Sequence, residues 1–286
     1  MGAANIRVHP HWPDRYVDLL NDAFSLRKVV VLHGHQRMIM ERLDLSQREH
    51  GLLKGALARF TEIDPNLPWF NALRFAPADE EEVRHIQIPH NLRPNYMSLF
   101  FTFHINEHLL IFEHRGAGNS YLSPKMALAY FVELFSDEAL SEKYGPIAVS
   151  MVADKDQLDA IIGIPHLKKL RIYVKRPNPD DLSGYDAFWE DKLVRQGATS
   201  IEVSYEAEGN ESIRPDEETR QLAEVATRNG EIDASGFDAQ GNRIKRSTSE
   251  HPTLEPLRYD PENTTHEQAF RSAAFSLVRR IMSGIL

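Results

Sequence analysis

Residues 167–176 read Leu-Lys-Lys-Leu-Arg-Ile-Tyr-Val-Lys-Arg. At the two-residue period of a strand they split into an apolar row, Leu170, Ile172 and Val174, and a second row of Lys169, Arg171, Tyr173 and Lys175. Same-face residues on a strand lie about 6.8 Å apart, comparable with the spacing of phosphates along an extended nucleic-acid strand. The cations could therefore neutralise phosphates while Tyr173 stacks on a base. Arg243, Lys245 and Arg246 follow a glycine turn at 238–242 and would add a second contact line. The competing reading of the same alternation is an edge strand whose lysines oppose edge-to-edge pairing, shielded by the acidic stretch that follows it.

Other chemistries are less well served. The chain has no cysteine, which removes thiol nucleophiles, zinc ribbons and iron–sulfur clusters together. Its thirteen histidines raise the question of a metal site. His33 and His35 flank a glycine that reads as a turn, and a hairpin turn at Asn106-Glu107 sends His104 and His108 to opposite faces, with His114 apart from both. No metal ligand set and no cofactor are expected. Asp180, followed by Glu190-Asp191-Lys192, matches the composition of a metal-dependent nuclease motif, but Glu190 and Lys192 lie in a segment of helical spacing, where residues two apart point in different directions. Residues 115–120 are glycine-rich without the lysine of a phosphate loop, and no Gly-x-Ser-x-Gly elbow occurs. No catalytic residue is assigned.

Charge sharpens the contrast. The 286 residues carry a formal charge of −9, which opposes non-specific attraction to nucleic acid, yet 168–176 contain five cations and no acid, whereas 206–240 are dominated by Asp and Glu. No apolar run is long enough for a membrane helix, and the first residues lack the pattern of a secretory signal. A cytoplasmic protein without membrane insertion is expected.

The elements that must position these residues can be read from periodicity and punctuation. Strands are expected at 6–9, 28–33, 36–45, 51–63, 147–152, 167–174, 200–207, 231–237 and 243–248, and helices at 13–24, 124–135, 154–162, 184–195, 215–228 and 265–282. Residues 97–114 form the clearest hairpin. Both its faces are apolar, so its sheet should be covered on both sides. Ser123-Pro124 is an N-cap followed by proline at the first helical position. Residues 77–96, polar and proline-containing, read as a loop. The last helix carries Ala269, Phe270, Ala273, Ala274, Leu277, Val278 and Ile281 on one stripe, a docking face. The order hairpin, helix, strand, helix, strand predicts an α+β fold: a mixed or antiparallel sheet of ferredoxin-like order over residues 1–176, and a smaller α+β unit over 177–286.

Several stretches carry a family likeness. Phe60-Thr61-Glu62-Ile63-Asp64-Pro65 with Pro68-Trp69-Phe70, then Ile88-Pro89-His90-Asn91-Leu92-Arg93-Pro94-Asn95-Tyr96, is one. Arg176-Pro177-Asn178-Pro179-Asp180-Asp181, with residues 236–242 and 247–252 downstream, is the other. Together they resemble a bacterial domain-of-unknown-function family of the DUF4747 type across nearly the whole chain. The order of the C-terminal elements is also similar to that of RexA-type phage-exclusion proteins, although the acidic balance here departs from that pattern. The resemblances imply a bacterial or phage-borne, non-enzymatic factor in antiviral defence or abortive infection. It would act as a sensor or adaptor toward DNA or RNA and a partner effector protein. Two alternatives stand beside this: an oligomerising interaction protein without a nucleic-acid ligand, using the terminal helix stripe and the exposed sheet, and a metal-dependent nuclease.

Overall fold

A computed structural model describes residues 1–10, 12–116, 118, 120–153, 155–177, 184–249 and 254–283. The first half of the chain runs β1 (Gly2–Val8), α1 (Pro13–Ser25), β2 (Val30–His33), β3 (Gln36–Asp44), β4 (Leu52–Thr61), β5 (Phe70–Asn71), β6 (Ala76–Pro77), α2 (Glu80–Arg84), β7 (Met97–His104) and β8 (Leu109–Phe112). The second half runs α3 (Pro124–Phe135), α4 (Glu138–Tyr144), β9 (Ile147–Met151), α5 (Lys155–Ile162), β10 (His166–Lys175), α6 (Gly184–Arg195), β11 (Ser200–Glu206), α7 (Glu217–Asn229), β12 (Gly230–Phe237), β13 (Arg243–Ser247) and α8 (His266–Met282). The fold is α+β.

Seven strands form one sheet in the order β2-β3-β4-β7-β8-β1-β9, and four form a second in the order β11-β10-β12-β13. Neighbouring strands in both are antiparallel. The ferredoxin-like order is not formed. The free edge of β8 is taken by β1, which inserts between the hairpin and β9, and β10 leaves for the other sheet. Gly2 makes this insertion possible, since a Cβ there would lie 2.4 Å from the Phe112 ring. The boundary expected at residue 176 falls within the second sheet, because β10 pairs with β11 on one side and β12 on the other, both from beyond that point.

The hairpin keeps the expected register, with His104 opposite Leu109 and Phe101 opposite Phe112. One face of its sheet packs Phe101, Phe103, Leu110 and Phe112 against α1, α3 and α4. The other packs Leu109 and Ile111 against Phe270, Ala274, Leu277, Val278 and Ile281 of α8. The apolar stripe of the terminal helix is thus buried within its own chain. Among the described residues the helices cover one face of the four-stranded sheet, where Leu170, Ile172, Val174 and Ile232 meet Leu222, Val225 and Ala226 of α7 and Trp189 of α6, and the other face meets the large sheet only at its Tyr173–Lys175 end. Residues 77–96 are not wholly loop: Asp79 and Glu82 form a reciprocal capping box that opens the short α2.

A buried polar network joins the two sheets. Arg7 of β1, fully enclosed, donates from Nη1 to Asn229 Oδ1 at 2.8 Å and to the Arg228 carbonyl at 3.2 Å. Asn229 Nδ2 donates to Asp186 Oδ1 at 2.9 Å, and Arg228 pairs with the other oxygen of Asp186, which is itself fully buried. Ser150 of β9 donates to the Arg228 carbonyl at 2.8 Å. The end of α7 is therefore tied to β1 and β9 of one sheet and to α6 over the other.

Candidate functional site

Pleating sets which charges share the open face of the four-stranded sheet. On β10 the outward residues are Lys169, Arg171, Tyr173 and Lys175, the alternates of the buried Leu170, Ile172 and Val174. Register brings Glu206 opposite Lys169, Glu202 and Glu231 to either side of Tyr173, and Asp233 beside Arg171. Lys245 and Arg243 pair with Ser235 and Phe237 and so belong to the same face. Arg246 does not: it sits opposite Ala234, a core residue, and its Nε is enclosed. The structure therefore brings together six of the seven residues expected to contact nucleic acid and turns the seventh to the other side.

The basic row is largely neutralised by its neighbours. Arg171 reaches Glu202 and Asp233 at 2.9 Å each and Glu231 at 3.7 Å. The hydrogen bond that Arg171 donates to Glu202 leads in raising the Arg171 pKa, and it in turn lowers that of Glu202. Lys169 pairs with Glu206 at 2.8 Å. These exposed pairs contribute little to stability individually, but they set the charge pattern a ligand would meet. Tyr173 lies under the Arg171 guanidinium, 5.7 Å from its ring centroid. Lys175 is different. It is half-buried at the junction between the sheets, and burial, followed by the nearby charge of Arg7, lowers its pKa. Arg243 and Lys245 are exposed on the edge strand, and among the described residues neither has a carboxylate partner.

The histidines are spread through the molecule. His104 is buried beside Phe275 of α8, and His108 stacks on Tyr16 of α1 at 4.7 Å, on the other face. His114 donates from Nδ1 to the Leu122 carbonyl at 2.8 Å. Among the described residues no group of three His, Asp or Glu side chains is placed to hold a metal ion. Of the nuclease-like set, Asp180 lies outside the described residues. Lys192 turns to the Trp189 ring at 4.2 Å and to Glu218 at 3.7 Å.

Sequence reasoning missed two clusters. One is the Arg7–Asn229–Asp186–Arg228 network, whose only sequence signal was an arginine within an apolar strand. The other is Glu113, buried on the sheet face under α8, which receives the Phe100 amide at 3.1 Å and pairs with His266, whose Nδ1 meets the Tyr259 hydroxyl at 3.0 Å. Burial raises the Glu113 pKa, against the opposing pull of its hydrogen bonds.

Fold and site together define an antiparallel α+β protein with a seven-stranded and a four-stranded sheet beside the short β5–β6 pair, and the four-stranded sheet presents a charge-laddered face. The chain belongs to the family described as Domain of unknown function (DUF4747), whose family model matches residues 1–274. No curated protein matches it. The likeness of layout to RexA has no counterpart in these matches.

Proposed function

We propose that the protein is a non-enzymatic sensor or adaptor of a bacterial phage-defence or abortive-infection system, and that it recognises nucleic acid across the open face of β10, β12 and β13. The observation that carries the recognition reading is the uncovered ladder face itself. It presents Arg243 and Lys245, cations that no described carboxylate engages, in the rows of His166 and Lys169 at one end of the ladder, with Tyr173 as a stacking platform toward the other end. Lys169 and Arg171 would join by exchanging Glu206 and Glu202 for phosphate oxygens, an exchange between anions of similar strength. The defence setting is drawn from the likeness of element order described above.

Fluorescence anisotropy with a labelled single-stranded oligonucleotide at low salt tests the reading. Binding should weaken linearly in log–log form as salt rises and be lost in the double variant Arg243→Glu, Lys245→Glu. Retention of nucleic acid by that variant would remove the face from the account. Reversing Lys169 and Arg171 is a poorer test, because it strands Glu202, Glu206 and Asp233 against new like charges and confounds binding with folding.

One observation favours a second reading, an interaction protein without a nucleic-acid ligand. Leu73 and Phe75 are 93% and 83% exposed beside Phe70 in the β5–β6 lobe. Light scattering that shows self-association, with no anisotropy change, would favour it.

A further inference from the structure

The end of β10 borders a cavity of about 290 Å³ at the junction of the two sheets, close to the small end of ligand pockets. Its polar lining consists of His9, Tyr173, Lys175, Arg176, Thr199 and Ser200, and the start of β9 supplies an apolar wall at Ile147. Every polar side chain among the described lining residues can donate a hydrogen bond, and no carboxylate is among them. The neighbouring cavity on the other side of Lys175, about 340 Å³, is lined in part by Glu231 and so is mixed in charge.

Among the described residues no carboxylate compensates Lys175 or Arg176 of the first cavity. The Nε of Arg176 is shut off from solvent with no hydrogen-bond partner. Neither Lys175 nor Arg176 makes a side-chain ion pair among the described residues, although Lys168, Lys169 and Arg171 on the same strand are each satisfied. Arg7 adds a third positive charge close to Lys175. Arg176 is fixed in place by its backbone, whose amide donates to the Thr199 carbonyl at 2.9 Å while its carbonyl meets His9 Nε2 at 3.4 Å. Gathering cations in a partly desolvated cleft without a counter-charge is costly, and an anion entering the cleft recovers that cost.

We propose that this junction cleft is a binding site for a small phosphate monoester, with the phosphate held by Lys175 and Arg176 and by the hydroxyls of Thr199 and Ser200. Two adjacent cations and several hydroxyl donors suit a dianion with three acceptor oxygens, and the volume limits the remainder to about the size of a mononucleotide. The site does not rest on the nucleic-acid reading, since it needs neither Arg243 nor Lys245.

Isothermal titration calorimetry of the full chain with inorganic phosphate and with AMP, against sodium chloride at equal ionic strength, tests the site. At least one of the two phosphates should bind, and Arg176→Gln and Lys175→Gln should each weaken that binding about tenfold to a hundredfold. Ser200→Asp would place a carboxylate beside the two cations; it should abolish phosphate binding and raise the melting temperature, a gain that also rules out misfolding as the cause. The double variant Arg243→Glu, Lys245→Glu should bind phosphate as the wild type does, which separates this site from the open sheet face. No binding beyond chloride, or wild-type affinity in Arg176→Gln, overturns the proposal.

Discussion

A histidine enclosed by aromatic and aliphatic side chains carries a proton only at a cost, and His104, 4% exposed, is such a residue. Burial lowers its pKa from 6.5 to about 4. Between those values the unfolded chain binds the proton and the folded chain does not, so this residue's contribution is intact above the unfolded pKa and is lost as pH falls toward 4. The loss is on the order of 3 kcal/mol. Urea midpoints at pH 7 and pH 4.5 should differ less in His104→Gln than in the wild type, and equal differences would deny the role. The charged row shows what a sequence can and cannot convey at this scale. The alternation of Lys169, Arg171, Tyr173 and Lys175 was legible because it is local. That Arg171 would be gripped by Glu202 and Asp233 was not, because cross-strand register decides it. By the same logic Arg246, written beside Lys245, was assigned to a face that the pleat denies it. Glu206→Ala removes only an exposed partner of Lys169 and should change stability by less than about 1 kcal/mol in the same urea assay.

Helix ends were the most readable elements, since the residues that stop and start them are adjacent in sequence. Ser123 accepts the Met126 amide at 3.2 Å, with Pro124 opening α3 as expected, and Thr265 and Gln268 close a capping box at the start of α8. Ser123→Ala should cost about 1 kcal/mol, visible as a small drop in melting temperature. α4 was not foreseen: it is one short, polar helix begun by Asp137 and stopped at Gly145, too brief to display a period. The stripe on α8 was legible as a docking face, but its destination was not. It covers the second face of the β7–β8 hairpin, so the expectation of two covered faces and the expectation of a docking helix describe one contact. Phe270 is fully buried in it. Phe270→Ala should cost about 3–5 kcal/mol in denaturant unfolding, and a loss below 1 would mean that the helix is not held by this face.

At the scale of the molecule, the α+β class and a division into a larger and a smaller unit followed from the element order, whereas the place of β1 between β8 and β9 and of β10 in the smaller sheet did not, because pairing between distant strands leaves no mark in either strand's own residues. The join between the sheets is polar and enclosed. Asp186→Ala would leave Arg228 and Asn229 without their shared acceptor, and removing one member of a buried pair typically costs about 3–5 kcal/mol. Amide hydrogen exchange should then speed up in β1 and β9 as well as in α6 and α7, since all four elements meet at that network.

The place of β1 has a consequence for how the chain reaches this state. Both its neighbours, β8 and β9, lie roughly a hundred residues or more further along, so the contacts that complete the large sheet are among the most distant in sequence and slow to close. At ribosomal elongation rates of about 5–20 residues per second, β1 emerges on the order of ten seconds before either of these partners exists. Until β8 and β9 have both been made, Gly2–Val8 lacks the two neighbours it has in the finished sheet, and over that interval its unpaired edges are open to other chains.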